Sequence, residues 1–192
     1  MPGEAARAAQ IHGWLLGPFL EANQIRSLIN LRGAHPEFGW WRREERACLD
    51  CGVRYFNVML DSRLLPTRRM LLGLWECFDR SQRPILIKCS GGQDRTSLAA
   101  ALYLLDRHGW GALDRSQAQF ARFPYLHFPK PEQRWLKAFP RFAREQAGDA
   151  PIGHWVLDSY DPHVLAAWLD RHVGVRSYAG IFGETEATRG LG

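Results

Sequence analysis

The segment from Ile85 to Leu105 constrains the fold more than any other part of the sequence. It begins with the apolar run Ile-Leu-Ile at residues 85–87, continues through a loop of small residues, and enters a helix-forming run at residues 98–105. This order predicts a buried strand, a tight loop and a helix. Such a loop directs backbone N–H groups inward at the positive end of the helix dipole, so we expect it to bind an oxyanion.

Cys89 opens this loop and Arg95 closes it. The helix dipole and the loop amides favour the thiolate of the cysteine, and the planar fork of the arginine matches two phosphate oxygens. A nucleophile beneath phosphorus and a clamp around its oxygens would allow displacement through a phosphocysteine intermediate. An ordinary buried cysteine is the alternative, but it leaves the glycines and the arginine unexplained. The phosphate-binding residues predicted between the two are Ser90, Gly91, Gly92 and Gln93.

Residues 89–96 resemble the Cys-x5-Arg-Ser/Thr signature loop of the cysteine-dependent protein tyrosine and dual-specificity phosphatases. The run Ile-Asn-Leu-Arg at residues 29–32 resembles a strand of the dual-specificity group, and the resemblance covers residues 12–145 in outline. It implies that Cys89 is the nucleophile, that Arg95 binds phosphate and stabilises the transition state, and that Thr96 assists hydrolysis of the phosphocysteine. It implies no metal and no cofactor. Lys88 departs from the pattern, because most members have histidine before the cysteine.

Two carboxylates compete for the role of general acid. Asp61 follows a predicted strand, and the resemblance implies an acid on the loop after that strand. Asp94 directly precedes Arg95, and the run Asp-Arg-Thr resembles the loop ending of myotubularin-type lipid phosphatases, where an aspartate at this position has been assigned the acid role. Each has a plainer interpretation, a surface loop residue for Asp61 and a favourable first-turn carboxylate for Asp94. The sequence leaves the choice open.

The substrate is predicted only as a class, a phosphorylated protein or a phosphorylated lipid, inositol or sugar. The net charge of +5 comes mainly from arginine and suits anionic substrates, and we predict no nucleic-acid partner. Arg63, Arg68 and Arg69 either recognise a second anionic group or begin a solvated helix. We interpret His127 as a surface loop residue that could also reach the site. The alternative function is a binding module that docks a phosphorylated ligand without hydrolysing it.

The predicted fold is an α/β domain with a central, mostly parallel twisted sheet of four or five strands flanked by helices. Residues 1–11 are predicted to be flexible, residues 12–147 to form the phosphatase domain, and residues 148–192 to form an extension with one short helix and a loose tail. No apolar window approaches the roughly 20 residues that cross a bilayer, so we predict a cytoplasmic protein and leave peripheral membrane contact open.

The remaining elements follow from apolar periodicity. We predict a short strand or hairpin over residues 12–20 and strands over residues 25–31 and 53–60. Helices are predicted over residues 36–52, 66–81, 96–108, 111–123 and 132–146. We interpret Cys48 and Cys51 as incidental cysteines at a helix end, because no second pair or histidine cluster accompanies them.

Overall fold

The structure, a computed structural model, describes residues 1, 3–174, 178 and 181–182. The strands in this part of the chain are β1 (Ala5–Ala8), β2 (Ser27–Asn30), β3 (Arg54–Asn57) and β4 (Ile85–Lys88). The α-helices are α1 (Gly13–Ala22), α2 (Gly39–Asp50), α3 (Arg68–Arg80), α4 (Asp94–His108), α5 (Leu113–Ala118), α6 (Trp135–Ala147), α7 (Ile152–Asp158) and α8 (Pro162–His172). The predicted α/β fold is therefore confirmed.

The four strands form one parallel sheet in the order β1-β4-β2-β3. Strands β2 and β4 occupy the centre, and every residue of both is buried. A central parallel strand is covered by helices on both faces, which explains the apolar run Ile-Leu-Ile of β4 and the buried Leu28 and Ile29 of β2. The carboxyl ends of all four strands meet at one edge of the sheet, so the loops that follow them share that edge.

Helices cover the two faces of the sheet with separate apolar clusters. Leu86 packs with Leu16, Leu20 and Cys48 of α1 and α2 on one face. Ile85 and Ile87 point to the other face, because side chains alternate along a strand. There they join a larger cluster that includes side chains of α3, α4, α6, α7 and α8.

The amino-terminal expectations were wrong. Residues 5–8 of the segment predicted to be flexible form β1, which pairs in parallel with β4 from Ala5↔Ile85 to Ala8↔Lys88. The strand Ala5–Ala8 contains no β-branched or aromatic residue, so its pairing with the open edge of β4, rather than strand propensity, explains why it forms. Residues 13–22 form helix α1 rather than a strand or hairpin, with Leu16 and Leu20 one turn apart on its buried face.

The carboxyl-terminal part contains two helices where one was predicted. Trp155 and Val156 of α7 and Trp168 of α8 lie in the same apolar cluster as Phe142 of α6. The boundary at residue 148 stays a prediction. The predicted loose tail lies outside the described residues apart from residues 181–182. Among the described helices, none has the length and apolar character needed to cross a membrane.

Candidate active site

The loop between β4 and α4 surrounds the Cys89 thiol with donors. Cys89 is 3% exposed, and the Gly92 N–H donates to its Sγ at 3.2 Å. Gly92 has φ +67°, a conformation that favours glycine. A Cβ on this residue would also lie 2.5 Å from the backbone nitrogen of Ala9 and 2.7 Å from the carbonyl carbon of Ala8. Glycine is therefore required here both by the turn and by the close approach of the chain leaving β1.

Opposing effects set the protonation of Cys89. Burial would raise the pKa of its thiol, but the Thr96 hydroxyl, the Arg95 charge and the loop amides outweigh burial and lower the pKa below the ordinary cysteine value. The Thr96 hydroxyl is buried and has no hydrogen-bond partner of normal geometry among the described residues, so it acts on the sulfur as a nearby dipole. The thiolate is accordingly favoured at the base of the site.

A cavity of about 360 Å³ opens above this loop at the carboxyl edge of the sheet. Its lining residues are Asp61, Ser62, Arg63, Cys89, Ser90, Gly91, Gln93, Asp94, Arg95 and Gln133. The fold thus brings most of the predicted site residues to one cavity, while Gly92 and Thr96 contact Cys89 from the loop and from α4. The Arg95 guanidinium reaches back across the loop, and its Nη2 donates to the Ser90 Oγ at 2.9 Å.

Asp94 is the first residue of α4, and two side chains from the segment between α5 and α6 lie against its carboxylate. Its Oδ2 accepts a hydrogen bond from the Gln133 Nε2 at 2.9 Å, and its Oδ1 lies 3.5 Å from the His127 Nε2. Burial raises the pKa of the Asp94 carboxyl, although His127, Arg95 and Gln133 oppose the rise. A carboxyl with a raised pKa keeps its proton to higher pH, as a general acid must.

Asp61 also lines the cavity, from the loop after β3. Its Oδ1 accepts from the Arg63 N–H at 2.7 Å, which fixes a local turn. Of the three arginines predicted nearby, Arg63 lines the cavity. Arg68 instead donates to the Tyr160 carbonyl at 2.7 Å, a contact that joins α3 to the segment after α7. Arg69 is absent from the cavity lining.

His127 was expected at the surface, and it is 2% exposed. It packs edge-on against Phe120 with 5.2 Å between ring centroids and faces Asp94. Burial lowers the pKa of its imidazole, while Asp94 opposes that effect. The sequence places His127 in a loop between prolines, and only the folding of that loop back onto α4 reveals its position.

Lys88 points away from the cavity into a buried polar network under α2. Its Nζ lies 2.6 Å from Glu44 Oε1 and 3.0 Å from Gln10 Oε1. Tyr55 donates to the same carboxylate at 2.7 Å, and the Gln10 Nε2 donates to its other oxygen at 2.6 Å. The backbone N–H of Gln10 donates to the carbonyl of Ser90 at 3.0 Å, so the network reaches the phosphate loop directly.

Burial lowers the pKa of Lys88 to about 8, although Glu44 opposes that effect. The residue directly before Cys89 is therefore a buried ammonium in an ion pair. Arg32 extends the network toward the surface. Its Nη1 donates to the Gln10 Oε1 at 2.9 Å, and its guanidinium lies 3.5 Å from the centre of the Trp40 ring.

Arg7 supports the loop from the other side, a role that no pattern in the sequence indicates. Its Nη2 donates to Ser97 Oγ at 2.7 Å and to the Gly92 carbonyl at 3.2 Å. Its Nη1 donates to the backbone carbonyl and the side-chain oxygen of Gln119. The guanidinium lies 3.9 Å from the centre of the Tyr125 ring. Burial lowers the pKa of Arg7 to about 10, so the group remains charged at neutral pH.

Comparisons with known proteins show which fold this is. No model of a known protein family matches the sequence, and no curated protein matches it. Among solved structures, TpbA of P. aeruginosa is 16% identical with a TM-score of 0.54, and the alignment covers 86% of each chain. PTPMT1 is 18% identical with a TM-score of 0.51, covering 72% of this chain and 90% of that one.

A third solved structure is the core catalytic domain of the PP-IP phosphatase SIW14 from S. cerevisiae. It is 15% identical with a TM-score of 0.51, covering 94% of this chain and 93% of that one. At these identities the similarity shows a shared fold, the dual-specificity phosphatase-like fold that the sequence resemblance implied.

Proposed function

We propose that this chain hydrolyses phosphomonoesters through a phosphocysteine intermediate formed on Cys89. The observation that carries the proposal is the lowered pKa of a buried thiol at the base of a cavity that Arg95 also lines. A structural cysteine buried in an apolar core has a raised pKa, as the pKa of about 12 at Cys77 illustrates. The contrast between the two thiols supports a nucleophile at position 89.

In the first step, the Cys89 thiolate attacks phosphorus and the bond to the leaving oxygen breaks. Arg95 and the loop amides hold the equatorial oxygens, whose charge they stabilise in the transition state. A carboxylic acid gives its proton to the departing alcohol or phenol. In the second step, water attacks phosphorus of the phosphocysteine and gives a proton to the carboxylate left by the first step. The P–S bond breaks, the sulfur leaves as thiolate beside Thr96, and inorganic phosphate departs.

Asp94 is the acid that we favour, with Asp61 as the second candidate. The raised pKa of Asp94 supports a protonated carboxyl at the start of the reaction, and Gln133 holds that carboxyl at the cavity wall. An acid placed within the loop suits an alcohol leaving group, such as that of an inositol, more than a phenol, because an alcohol leaves poorly without a proton. This reasoning favours a phosphorylated lipid or inositol over phosphotyrosine.

The structural neighbours span the same range of substrates. TpbA is known as a cysteine-to-serine variant in complex with pTyr, PTPMT1 is known in complex with PI(5)P, and SIW14 is described as a PP-IP phosphatase. Their range supports keeping all three classes in a test of this chain.

The test is phosphate release by the wild type and by Cys89→Ser on a phosphotyrosine peptide, a phosphoinositide and an inositol polyphosphate, with EDTA present throughout. We expect the wild type to turn over at least one class and the serine variant to turn over none. If neither protein releases phosphate while both bind the ligands, the chain is a binding module and the proposed hydrolysis is wrong.

A further inference from the structure

Three large apolar side chains protrude from one closed turn after α5. This aromatic turn, residues 121–128, is closed by hydrogen bonds from the Leu126 N–H to the Arg122 carbonyl at 2.8 Å and from the His127 N–H to the Ala121 carbonyl at 3.5 Å. Phe123 is 78% exposed, Leu126 is 46% exposed and Phe128 is 59% exposed. Apolar side chains gathered on one protruding segment indicate an interaction surface, whereas scattered ones do not.

The backbone of the aromatic turn adds a second observation. Leu126 has φ +53°, in the left-handed region where a side chain costs conformational energy and glycine is preferred. The usual compensation is burial of the side chain, and nearly half of this one remains exposed. If a partner covered Leu126, burial of its side chain would offset the cost of its backbone conformation.

Basic residues lie close to these apolar side chains in the sequence, and the Arg122 guanidinium lies 5.7 Å from the centre of the Phe128 ring. Between residues 121 and 137 the sequence has one acidic residue, Glu132, whose carboxylate lies 3.9 Å from the Arg63 guanidinium. The basic residues of this segment, all exposed, are Arg122, Lys130, Arg134 and Lys137. Long basic side chains beside exposed aromatic rings match the interface of a bilayer, where the rings enter the acyl boundary and the cations meet lipid phosphates.

The aromatic turn lies at the rim of the candidate active site. His127 of the turn faces Asp94 at 3.5 Å, and Gln133, five residues beyond the turn, donates to the same carboxylate at 2.9 Å. The turn therefore adjoins Asp94, a residue that lines the cavity above Cys89, although no residue of the turn lines that cavity.

We propose that the aromatic turn inserts Phe123, Leu126 and Phe128 into the interface of an anionic lipid bilayer, while the neighbouring basic side chains contact lipid phosphates. The excess of exposed basic over acidic residues beside the apolar side chains complements the negative charge of such a bilayer, which favours it as the occupant. Binding at this surface needs no hydrolysis, so it is independent of the proposed function. Where the proposed function also holds, the surface brings the phosphate loop to membrane-held substrates.

The experiment is co-sedimentation of the full chain, carrying Cys89→Ser, with two kinds of vesicle. One contains phosphatidylcholine alone, and the other also contains phosphatidylglycerol. We expect binding to the mixed vesicles that weakens as salt is raised. Phe123→Ser with Phe128→Ser should weaken it by about a hundredfold. Lys130→Gln with Arg134→Gln should weaken it by about thirtyfold.

Leu49→Ser is the matched control. Leu49 is 70% exposed at the end of α2, at the opposite edge of the sheet from the cavity, and its replacement should leave vesicle binding unchanged. In the chain with Cys89 intact, the double phenylalanine variant should keep the wild-type kcat/KM on a small soluble aryl phosphate, and its thermal unfolding should match that of the wild type.

Two outcomes would overturn the proposal. One is that the full chain binds neither vesicle, or that the double phenylalanine variant binds as well as its parent. The other is that the chain binds no vesicle and the double phenylalanine variant loses activity only on a phosphorylated protein. That result would mean that the aromatic turn contacts a protein partner. Vesicle binding by a chain that hydrolyses none of the tested phosphomonoesters would instead count against the proposed function alone.

Discussion

At the level of single residues, the environments of the cysteines and carboxylates are strongly unequal. Burial raises the pKa of Cys48 and of Cys77 to about 12, whereas the donors around Cys89 lower its pKa. Burial raises the pKa of Asp94, so the site pairs a thiol whose ionisation is favoured with a carboxyl whose ionisation is disfavoured. A site that carries out both nucleophilic attack and proton donation needs a lowered pKa at the nucleophile and a raised pKa at the acid.

Thr96→Ala should raise the pKa of Cys89, because the hydroxyl near the sulfur is one of the groups that lower it. The rate at which iodoacetamide alkylates Cys89 should rise with pH in both proteins. In the variant this rise should occur at higher pH, so that less Cys89 is modified near neutrality. Mass spectrometry should find Cys89 as the most rapidly modified cysteine. Cys77→Ser is the control and should leave the curve unchanged. If the pH dependence of alkylation is the same in Thr96→Ala as in the wild type, the Thr96 hydroxyl does not lower the pKa of Cys89.

Asp94→Asn should reduce kcat more for an alkyl phosphate than for an aryl phosphate, since the better leaving group needs less protonation. The expected loss on the alkyl substrate is about 10²–10⁴-fold. In the wild type, kcat on the alkyl substrate should fall as pH rises through the raised pKa of Asp94, because the acid then loses its proton. Asp61→Asn is the matched comparison. A larger leaving-group effect in that variant would make Asp61 the acid.

At the level of elements, β1 and α2 hold the phosphate loop from two sides. β1 supplies Arg7, which bonds to the loop carbonyl of Gly92 and to Ser97 of α4. α2 supplies Glu44, which pairs with Lys88 at the end of β4. Neither element carries a group that lines the cavity, so both act by positioning the loop.

Arg7→Met should weaken both the loop and the fold, because it removes a charged donor from four acceptor atoms on three residues. The expected loss of unfolding free energy is about 1.5–3 kcal/mol, measured by urea denaturation. kcat/KM on an aryl phosphate should fall, and the alkylation curve of Cys89 should shift as the loop amides move away from the sulfur. Arg7→Lys keeps the charge but lacks the planar guanidinium, so its unfolding free energy and its kcat/KM should lie between those of the wild type and those of Arg7→Met. A destabilised variant with an unchanged alkylation curve would limit Arg7 to a structural role.

Glu44→Gln should lower the free energy of unfolding by about 3 kcal/mol near pH 7, because it leaves the buried Lys88 ammonium without its counter-charge. The pKa of Lys88 is about 8 in the folded chain, below the ordinary value of 10.5. Below about pH 8 the group is charged and depends on Glu44. Above that pH the Lys88 amine is neutral in the wild type and needs no counter-charge, so the difference in unfolding free energy between the two proteins should shrink as pH rises. Urea denaturation near pH 7 and above about pH 8 measures this difference, and a difference that does not change with pH would contradict the prediction.

At the level of the whole molecule, the last two helices complete the apolar core. Trp155 and Tyr160 pack against Phe139 with ring centroids 6.4 Å and 5.8 Å apart, and Trp168 packs against Phe142 at 5.6 Å. The Tyr160 hydroxyl donates to the carbonyl of Pro66 at 2.6 Å, just before α3 begins. These contacts join the carboxyl-terminal helices to the face of the sheet that carries α3 and α6.

A chain ending at residue 147 should therefore not fold cooperatively, since it would expose Phe139 and Phe142 to water. We expect weak near-UV circular dichroism and dye binding typical of exposed apolar surface. The full chain is the control and should show one cooperative thermal transition. If the shortened chain unfolds at the same temperature as the full chain, α7 and α8 form a separate extension, as the sequence predicted.

The central features of the fold could be predicted because they are local. β2, β3, β4 and the loop after β4 follow from apolar runs and small residues that lie next to each other in the sequence. Arg7 could not be predicted in the same way, because Gly92 lies 85 residues and Gln119 lies 112 residues further along the chain. His127 and Gln133 reach Asp94 only after the chain has crossed α4 and α5, so their contribution depends on tertiary structure rather than on pattern.

The close approach of Ala8 and Ala9 to Gly92 has a consequence for the thermodynamics of ligand binding. Gly92 packs against the backbone at the end of β1, and Arg7 donates to its carbonyl. These contacts define the conformation of the loop without a bound anion. Little chain entropy is then lost on binding, and little additional apolar surface is removed from water. The heat capacity change on binding should accordingly be small, as for a rigid receptor, and the free energy of the anion contacts remains for the chemical step.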